Sequence, residues 1–489
     1  MSLDAIAQQD TPLLTALYAC AQRDTAPFHT PGHKRGRGWT DALWEWWGDR
    51  VGAADLPELP ELDNLFAPSG VIAAAQTLAA AAFGAEQTWF LTNGSTGGIL
   101  AAILATCQPG DALILPRNVH QSAISGMVLA GAMPIFVAPV VDPEWDLALG
   151  VTPAAIAAAL AQAPHAKAVL IVSPTYAGVC ADVAAITQVC HAHGVPLIVD
   201  EAHGAHFGFH ADLPRSALQS GADIAVQSTH KVLSALTQAA MLHTQGTRID
   251  RDRLSRCLSY VQSTSPNYLL LASLDAARQQ MALHGEALMQ QTLDLAQLVR
   301  SRLTTVPGLT LLSPPTTPIP GFADLDRTRL TVGVAGLGWD GFAADEWLSQ
   351  EWGVIAELPT LRQLTFILTL GNTAADGDRL VQGLTQLATL PPPAPPTDPI
   401  ALPFLPTCTQ PEMTPRDAAF ATQVTVATAH AIGQISAELV CPYPPGIPLL
   451  VPGERITAAA IAQLQQILAA GGVISGCADP SLTTLRIVQ

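Results

Sequence analysis

From about residue 80 to residue 245, short apolar β-rich runs alternate with helical stretches, and this alternation constrains the fold more than any other feature. "TWFLT" (88–92) is followed by "NGSTGG" and the helical "ILAAILATC". "DALILP" leads into the helical "NVHQSAISGMVLAG" and then "MPIFVAPV". "TPAAIAAALAQA" opens with Thr152 as N-cap and Pro153 in the first helical position, a good helix start. "AKAVLIVSP" and "VPLIVDEAHG" flank a helix over "DVAAITQVCHAHG" that Gly194 closes, and "ADIAVQS" and "AAMLHT" complete the series. Buried strands alternating with helices predict an α/β chain whose large, mainly parallel sheet is covered on both faces. Ligands on such sheets bind outside the carboxyl ends of the strands. "NGSTGG", "DEAHGAH" and "STHK" each follow a predicted strand at that place.

Beyond residue 245 the pattern turns helical through "DRDRLSRCLSYVQ" and the long run from "PNYLLL" to "RSRL". A smaller α+β unit follows, with strand-like "RLTVGVAG", "GVIAEL" and "QLTFILTL" around a helix starting near Asp340. Residues 391–406 contain eight prolines and read as a stiff extended connector. The predicted division is a helical arm over 1–30, a large sheet domain over 31–245, connecting helices with a small α+β domain over 246–390, the linker 391–406, and a C-terminal domain over 407–489. No internal repeat is evident.

Composition narrows the partners. Charged residues make up 13% of the chain, about half the usual share. The apolar excess is alanine and leucine, and runs such as "GGILAAILATC" fall well short of the roughly 18 to 20 residues that span a bilayer. The N-terminus has an early Asp and no basic stretch before an apolar core, so no signal peptide is expected. These features predict a cytoplasmic protein with no membrane partner. A net charge of −17 argues against nucleic acid, whose phosphates want a basic face. Eight scattered cysteines with no C-x-x-C pair fit reduced thiols rather than disulfides or a zinc knot.

Only three lysines occur in 489 residues, against twenty arginines. Lys34 sits in the glycine-rich "TPGHKRGRG" and Lys167 enters a strand; both read as ordinary surface charges. Lys231 is different, placed directly after Ser-Thr-His and inside an apolar run. Unlike arginine, a lysine amine can lose its proton and act as a nucleophile toward an aldehyde cofactor such as pyridoxal phosphate (PLP). Such a cofactor also needs an acid for its ring nitrogen and an anchor for its phosphate. Asp200 ends a predicted strand, and Ser95 and Thr96 lie at a helix N-terminus, where free N–H groups favour phosphate. Ser228 and His230 could complete the phosphate cup. Taken singly, a strand-end Asp is more often a cap and N-G-S-T an ordinary turn; their order on one sheet gives them weight.

The chain resembles the fold-type I PLP-dependent ornithine/lysine/arginine decarboxylases over nearly its whole length, in the short form without an N-terminal wing. The segments that carry the resemblance are "TPGHKRG", "LPELDNLFAPSGVIAAAQTLAAAAFGA", "FLTNGSTGGILAAI", "LPRNVHQSA", "VDEAHGAHFGFH", "QSTHKVLSALTQAAMLH", "TSPNYLLLASLDAAR" and "ISAELVCPYPPGIPLLVPGERIT". The resemblance implies a PLP-dependent transferase-like fold and α-decarboxylation of a basic amino acid, leaning to arginine, with lysine and ornithine as alternatives. It assigns Lys231 to covalent cofactor attachment, Asp200 to the ring nitrogen, and Ser95, Thr96, Ser228 and His230 to the phosphate. It puts His120 against one ring face, where it is also a candidate proton donor, Ala202 beneath the other face, and His203 near the phenolic oxygen. Glu454 and the acidic segment Glu58, Glu61 and Asp63 are candidates for the substrate's distal cation. Gln121 and Pro60 depart from the family pattern, near the substrate entrance rather than the attachment chemistry. A homodimer or a dimer of dimers is implied by resemblance alone.

Three rivals remain. A metal site built on His203, His206 and His210 lacks an H-E-x-x-H pattern, and the glycines between them break any single helical face. His191 and His193 read as dipole partners at a helix C-terminus. Another PLP reaction, such as an aminotransferase or aldolase, would not call for the C-terminal block. A non-catalytic regulator would have no need of an intact Lys231 and Asp200.

Overall fold

The computed structural model describes residues 8–392, 409–443, 446–469 and 471–489. Most of the expected proline linker, and Pro444 and Pro445 of the C-terminal block, lie outside them. The main strands are β1 (Gln87–Leu91), β2 (Ala112–Pro116), β3 (Met133–Val137), β4 (Ala168–Val172), β5 (Leu197–Asp200), β6 (Ile224–Gln227) and β7 (Ala240–Thr244). Each matches an expected run. The helices between them are Gly94–Thr106, Gln121–Ala130, Pro153–Gln162 and Val183–Ala192. Thr152 accepts the amide of Ala155 and Pro153 begins its helix, as the capping logic requires.

By its internal contacts the chain divides into two compact units that do not follow the expected domain boundaries. The first comprises Met1–Ala105 with Asp200–Met289, and the second Thr106–Val199 with Gln290–Gln489.

In the first unit β7 lies between β1 and β6 and runs antiparallel to both, with Trp89 opposite Leu242 and Leu242 opposite Val226. The expected fold class stands, with β7 an antiparallel strand within the sheet. After β6 the chain passes through the turn that carries Lys231 and returns as β7 beside β6. A core of Leu13, Leu17, Leu62, Ile72, Phe90, Met241, Tyr268 and Leu274 packs the N-terminal helix Pro12–Gln22 and the helix Val71–Phe83 together. That arm is also pinned electrostatically. Buried Asp275 accepts the amides of Leu13 (3.0 Å) and Leu14 (3.3 Å), and its partner Arg278 donates to the carbonyls of Gln8 and Asp10.

In the second unit β2 pairs in parallel with β3 and β4, as expected for strands linked through helices. Its small α+β part joins Arg329–Gly333 to Gln363–Ile367 in antiparallel register, with Asp340 capping the helix Gly341–Trp352. The expected strand over "GVIAEL" shrinks to Leu358–Pro359. Its physical reason is local: the Ala356 amide donates to the Asp345 carboxylate at 3.0 Å instead of to a neighbouring strand. The C-terminal segment has its own core of Val440, Leu450, Ile456, Leu464, Ile474 and Leu485. Among the described residues, no helix is long and apolar enough to cross a membrane.

Candidate active site

Lys231 lies on a single helical turn, Thr229–Val232, directly after β6, and its amide donates to the Ser228 carbonyl at 3.0 Å. That turn aims the side chain toward the loop after β5, where Lys231 Nζ is 3.0 Å from Nε2 of buried His203. Asp200 ends β5 and is buried, with Oδ1 accepting the Ala202 amide at 3.2 Å. Burial pushes its carboxyl above the usual range, while the Lys231 ammonium and the Ala202 N–H pull it back. Ala202, on the same loop, is buried as well.

Ser228 Oγ donates to Ser95 Oγ at 2.7 Å. Ser95 and exposed Thr96 open the helix Gly94–Thr106, whose first-turn amides have no partner within the helix. Gly98 lets this helix sit on β6, since a Cβ there would come 2.6 Å from Val226. His230 bonds the Ala239 carbonyl through Nδ1 at 2.9 Å. Lys231, Asp200, Ala202, His203, Ser95, Thr96, Ser228 and His230 thus all belong to the first unit.

The donor set fits the expected cofactor. A buried carboxylate at the strand end wants a cationic N–H, a helix N-terminus with two converging hydroxyls wants an anion, and a lysine amine lies on the turn between those two strand ends.

The acidic segment lies in the first unit but is locally committed. Asp63 accepts the amides of Asn64 (2.9 Å), Ser69 (3.0 Å), Gly70 (2.7 Å) and Ile72 (3.1 Å) at the start of the helix Val71–Phe83. Its burial is outweighed by these N–H groups, which hold the carboxyl below its usual range. Glu61 is exposed and paired with Arg23, and Glu58 accepts the Leu65 amide at 3.2 Å. Lys34 donates to the His29 carbonyl within its loop, and Lys167 is exposed.

His120 belongs to the second unit. It caps the helix Gln121–Ala130 by accepting the Ser122 amide at 3.2 Å. Gly446 lies against its ring, since a Cβ there would be 3.0 Å from Nε2, and the Gln121 amide donates to the Gly446 carbonyl at 2.9 Å. The C-terminal block therefore shapes the surroundings of His120.

Glu454 corrects an expectation. It is buried and bound in bidentate fashion by buried Arg117, with Nη2 to Oε2 at 2.7 Å and Nε to Oε1 at 3.1 Å. The Val451 amide (3.0 Å) and Thr409 hydroxyl (3.3 Å) take further lone pairs. Arg117 also donates to the Pro448 carbonyl at 2.8 Å. With its charge answered and both oxygens engaged, Glu454 is a structural anion and not a reader of substrate. Nor does it cap the next helix, since Thr457 accepts the Ala460 amide there.

The sequence reading missed Arg117, and it missed a buried polar chain behind Asp200. Glu201 accepts the Ala217 amide at 2.7 Å and contacts the Gln227 amide at 2.8 Å; Gln227 in turn contacts His243 at 3.1 Å, and His243 contacts Thr88 at 2.7 Å. The available signal was polar residues at consecutive strand positions that period-two alternation must point inward. His191 closes its helix as expected, and His193 bonds the Val189 carbonyl at 2.9 Å. Among the described residues no cluster of three potential metal ligands exists.

The chain is 40% identical over 484 residues to an arginine decarboxylase of Bacillus subtilis (strain 168), covering 99% of each. It is 38% identical over 483 residues to an arginine decarboxylase of Halalkalibacterium halodurans, covering 99% of this chain and 98% of that one. The solved lysine decarboxylase LdcF of Francisella novicida shares the fold, with a TM-score of 0.83 at 21% identity over 98% of this chain and 80% of that one. The profile "Orn/Lys/Arg decarboxylase, major domain" matches residues 11–319, and "Orn/Lys/Arg decarboxylase, C-terminal domain" matches 403–474. With those matches spanning both its halves, the chain belongs to the Orn/Lys/Arg decarboxylase family and is an amino-acid decarboxylase of the fold-type I architecture.

Proposed function

We propose that this enzyme removes the α-carboxylate of arginine, giving agmatine and CO2, with PLP held covalently by Lys231. The observation that carries the substrate is the end-to-end similarity, at 40% and 38% identity, to proteins named arginine decarboxylase. The observation that carries the cofactor is the convergence of Lys231, Asp200 and the Ser95–Ser228 hydroxyl pair. When bound, PLP supplies the electron sink for the bond to the carboxylate.

The chain's own groups do the rest. His203 Nε2, 3.0 Å from Lys231 Nζ, fixes where the amine is presented. Asp200 keeps a proton on the ring nitrogen by charge-assisted hydrogen bonding. Ser95, Thr96, Ser228 and His230 would bind the phosphate. Ala202 would support the bound ring, and His120 is the candidate donor of the proton returned to Cα. Glu61 is the acid best suited to the guanidinium, because an exposed pair such as Glu61–Arg23 is weak enough to exchange partners. We further propose a cytoplasmic homodimer or dimer of dimers, supported by the exposed apolar face of Trp44, Trp46 and Trp47 on the helix Asp41–Ala54.

The test is incubation of the PLP-loaded enzyme with arginine, lysine and ornithine separately, with CO2 and amine quantified. Agmatine formed at the highest kcat/KM supports the reading. Cadaverine or putrescine formed faster would move the substrate to lysine or ornithine, and no CO2 from any of them would end the proposal.

A further inference from the structure

Directly after Asp200 stands a second buried carboxyl group that the proposed chemistry does not use. Glu201 is 1% exposed, and Gln227, His243 and Thr88 are 2%, 0% and 2% exposed. They form one unbroken line of hydrogen bonds: Glu201 to Gln227 at 2.8 Å, Gln227 to His243 Nε2 at 3.1 Å, and His243 Nδ1 to Thr88 Oγ1 at 2.7 Å. The line ties the residue after β5 to the last residue of β6 and then to β7 and β1, so it fixes the strand ends from which Asp200 and Ser228–Lys231 project. Phe83 stacks on the His243 ring at 4.9 Å and shuts that end from water.

The line has two possible directions. With Glu201 ionised, Gln227 donates its NH2 to the carboxylate, His243 donates through Nε2, and the Thr88 hydroxyl donates to Nδ1. With Glu201 protonated, the acid donates to the Gln227 carbonyl after a half-turn of the amide, whose oxygen and nitrogen ends are alike in shape. Gln227 then donates to Nε2, and His243 donates through Nδ1 to Thr88. Either state satisfies every member, so the choice rests on the charge. The hydrogen-bond partners of Glu201 are the Ala217 and Gln227 amides, both neutral. An ion buried against neutral dipoles costs far more than the neutral acid.

The titratable neighbours do not supply a counter-charge. Asp200 precedes Glu201 and is itself acidic, and His243 is held neutral by burial, its pKa brought down to about 3. His203 lies two residues on and faces Lys231. Burial pushes the Glu201 carboxyl up to about 8, against the smaller pull of Gln227 and Ala217.

We propose that Glu201 is a positioning residue carried as a neutral acid, donating through Gln227 and His243 to Thr88, so that Asp200 is the single carboxylate charge offered at these strand ends. The ionic state of Glu201 needs no cofactor; its service to Asp200 rests on the PLP reading above.

The test compares wild type with E201Q, which keeps the acid's shape and can both donate and accept, and with E201A. For the cofactor-free proteins, melting temperature is followed as pH rises from about 4.5 to about 8. A folded acid with a raised pKa holds a proton that the unfolded chain releases, so wild type should lose more stability across that window than E201Q, in which the other buried acids remain. Parallel melting profiles would overturn the proposal. Should E201Q fail to fold, isotope-edited infrared on wild type with carboxyl-labelled glutamate decides the matter. A label-sensitive carboxylic-acid C=O band at neutral pH that is lost above about pH 8 is expected, and its absence at neutral pH overturns the neutral acid. PLP affinity, read by equilibrium dialysis, should be kept by E201Q and weakened about tenfold in E201A; equal affinities would remove the positioning role. If wild type itself binds no PLP, the cofactor reading fails while the melting profiles still decide the state of Glu201.

Discussion

Two adjacent acids at the end of β5 do different work because a strand end sends successive side chains to opposite sides. Asp200 faces the field of Lys231, and Glu201 is drawn into a neutral hydrogen-bond line. Replacing Asp200 by Asn should therefore leave PLP attached, seen as retained cofactor absorbance, while decarboxylation falls by about a hundredfold or more. That loss corresponds to roughly 2.7 kcal/mol of transition-state stabilisation. Turnover near wild type with full cofactor occupancy would take Asp200 out of the chemistry. Asp63 offers a test with the opposite sign in pH. Its carboxyl is held below the usual range by backbone N–H groups, so its contribution is present above the unfolded pKa of 3.8 and is lost as pH falls through the folded one. Asp63→Asn should flatten the acid side of the melting profile, and an unchanged acid limb would show that the cap contributes nothing. Lys231, Asp200 and the hydroxyls were legible in the sequence because each follows a strand whose apolar run is unmistakable. Glu201 was not, since a second acid beside the first looks redundant until burial separates them.

At the scale of elements, capping and strand signals were local and therefore readable: Thr152, Asp340 and Thr457 each accept an amide three residues on. What the sequence hid were partners far apart in it. Arg117 and Glu454 are separated by 337 positions and meet as a buried bidentate pair that anchors the "VPGE" turn beside Pro448 and Leu449. Glu454→Gln should cost about 3 to 5 kcal/mol of stability, because it leaves a buried guanidinium without its counter-charge. Preference among arginine, lysine and ornithine should not change. A shift in that preference without a drop in melting temperature would restore Glu454 as a substrate contact. The antiparallel placement of β7 was equally hidden, since an apolar run carries no sign of its direction.

For the whole molecule, assembly of copies is expected. The helix Asp41–Ala54 leaves Trp46 86% exposed, with Trp44 and Trp47 about half exposed beside it, a cost that a partner copy would relieve. Trp46→Arg should lower the mass measured by light scattering toward that of one chain of 51.1 kDa. An unchanged mass would place the contact between copies elsewhere. The central claim, however, concerns one amine among three. The PLP-loaded enzyme should be reduced with borohydride, digested and mapped by mass spectrometry. A pyridoxyl label on Lys231 alone is expected; a label on Lys34 or Lys167, with Lys231 unmodified, would contradict covalent attachment there.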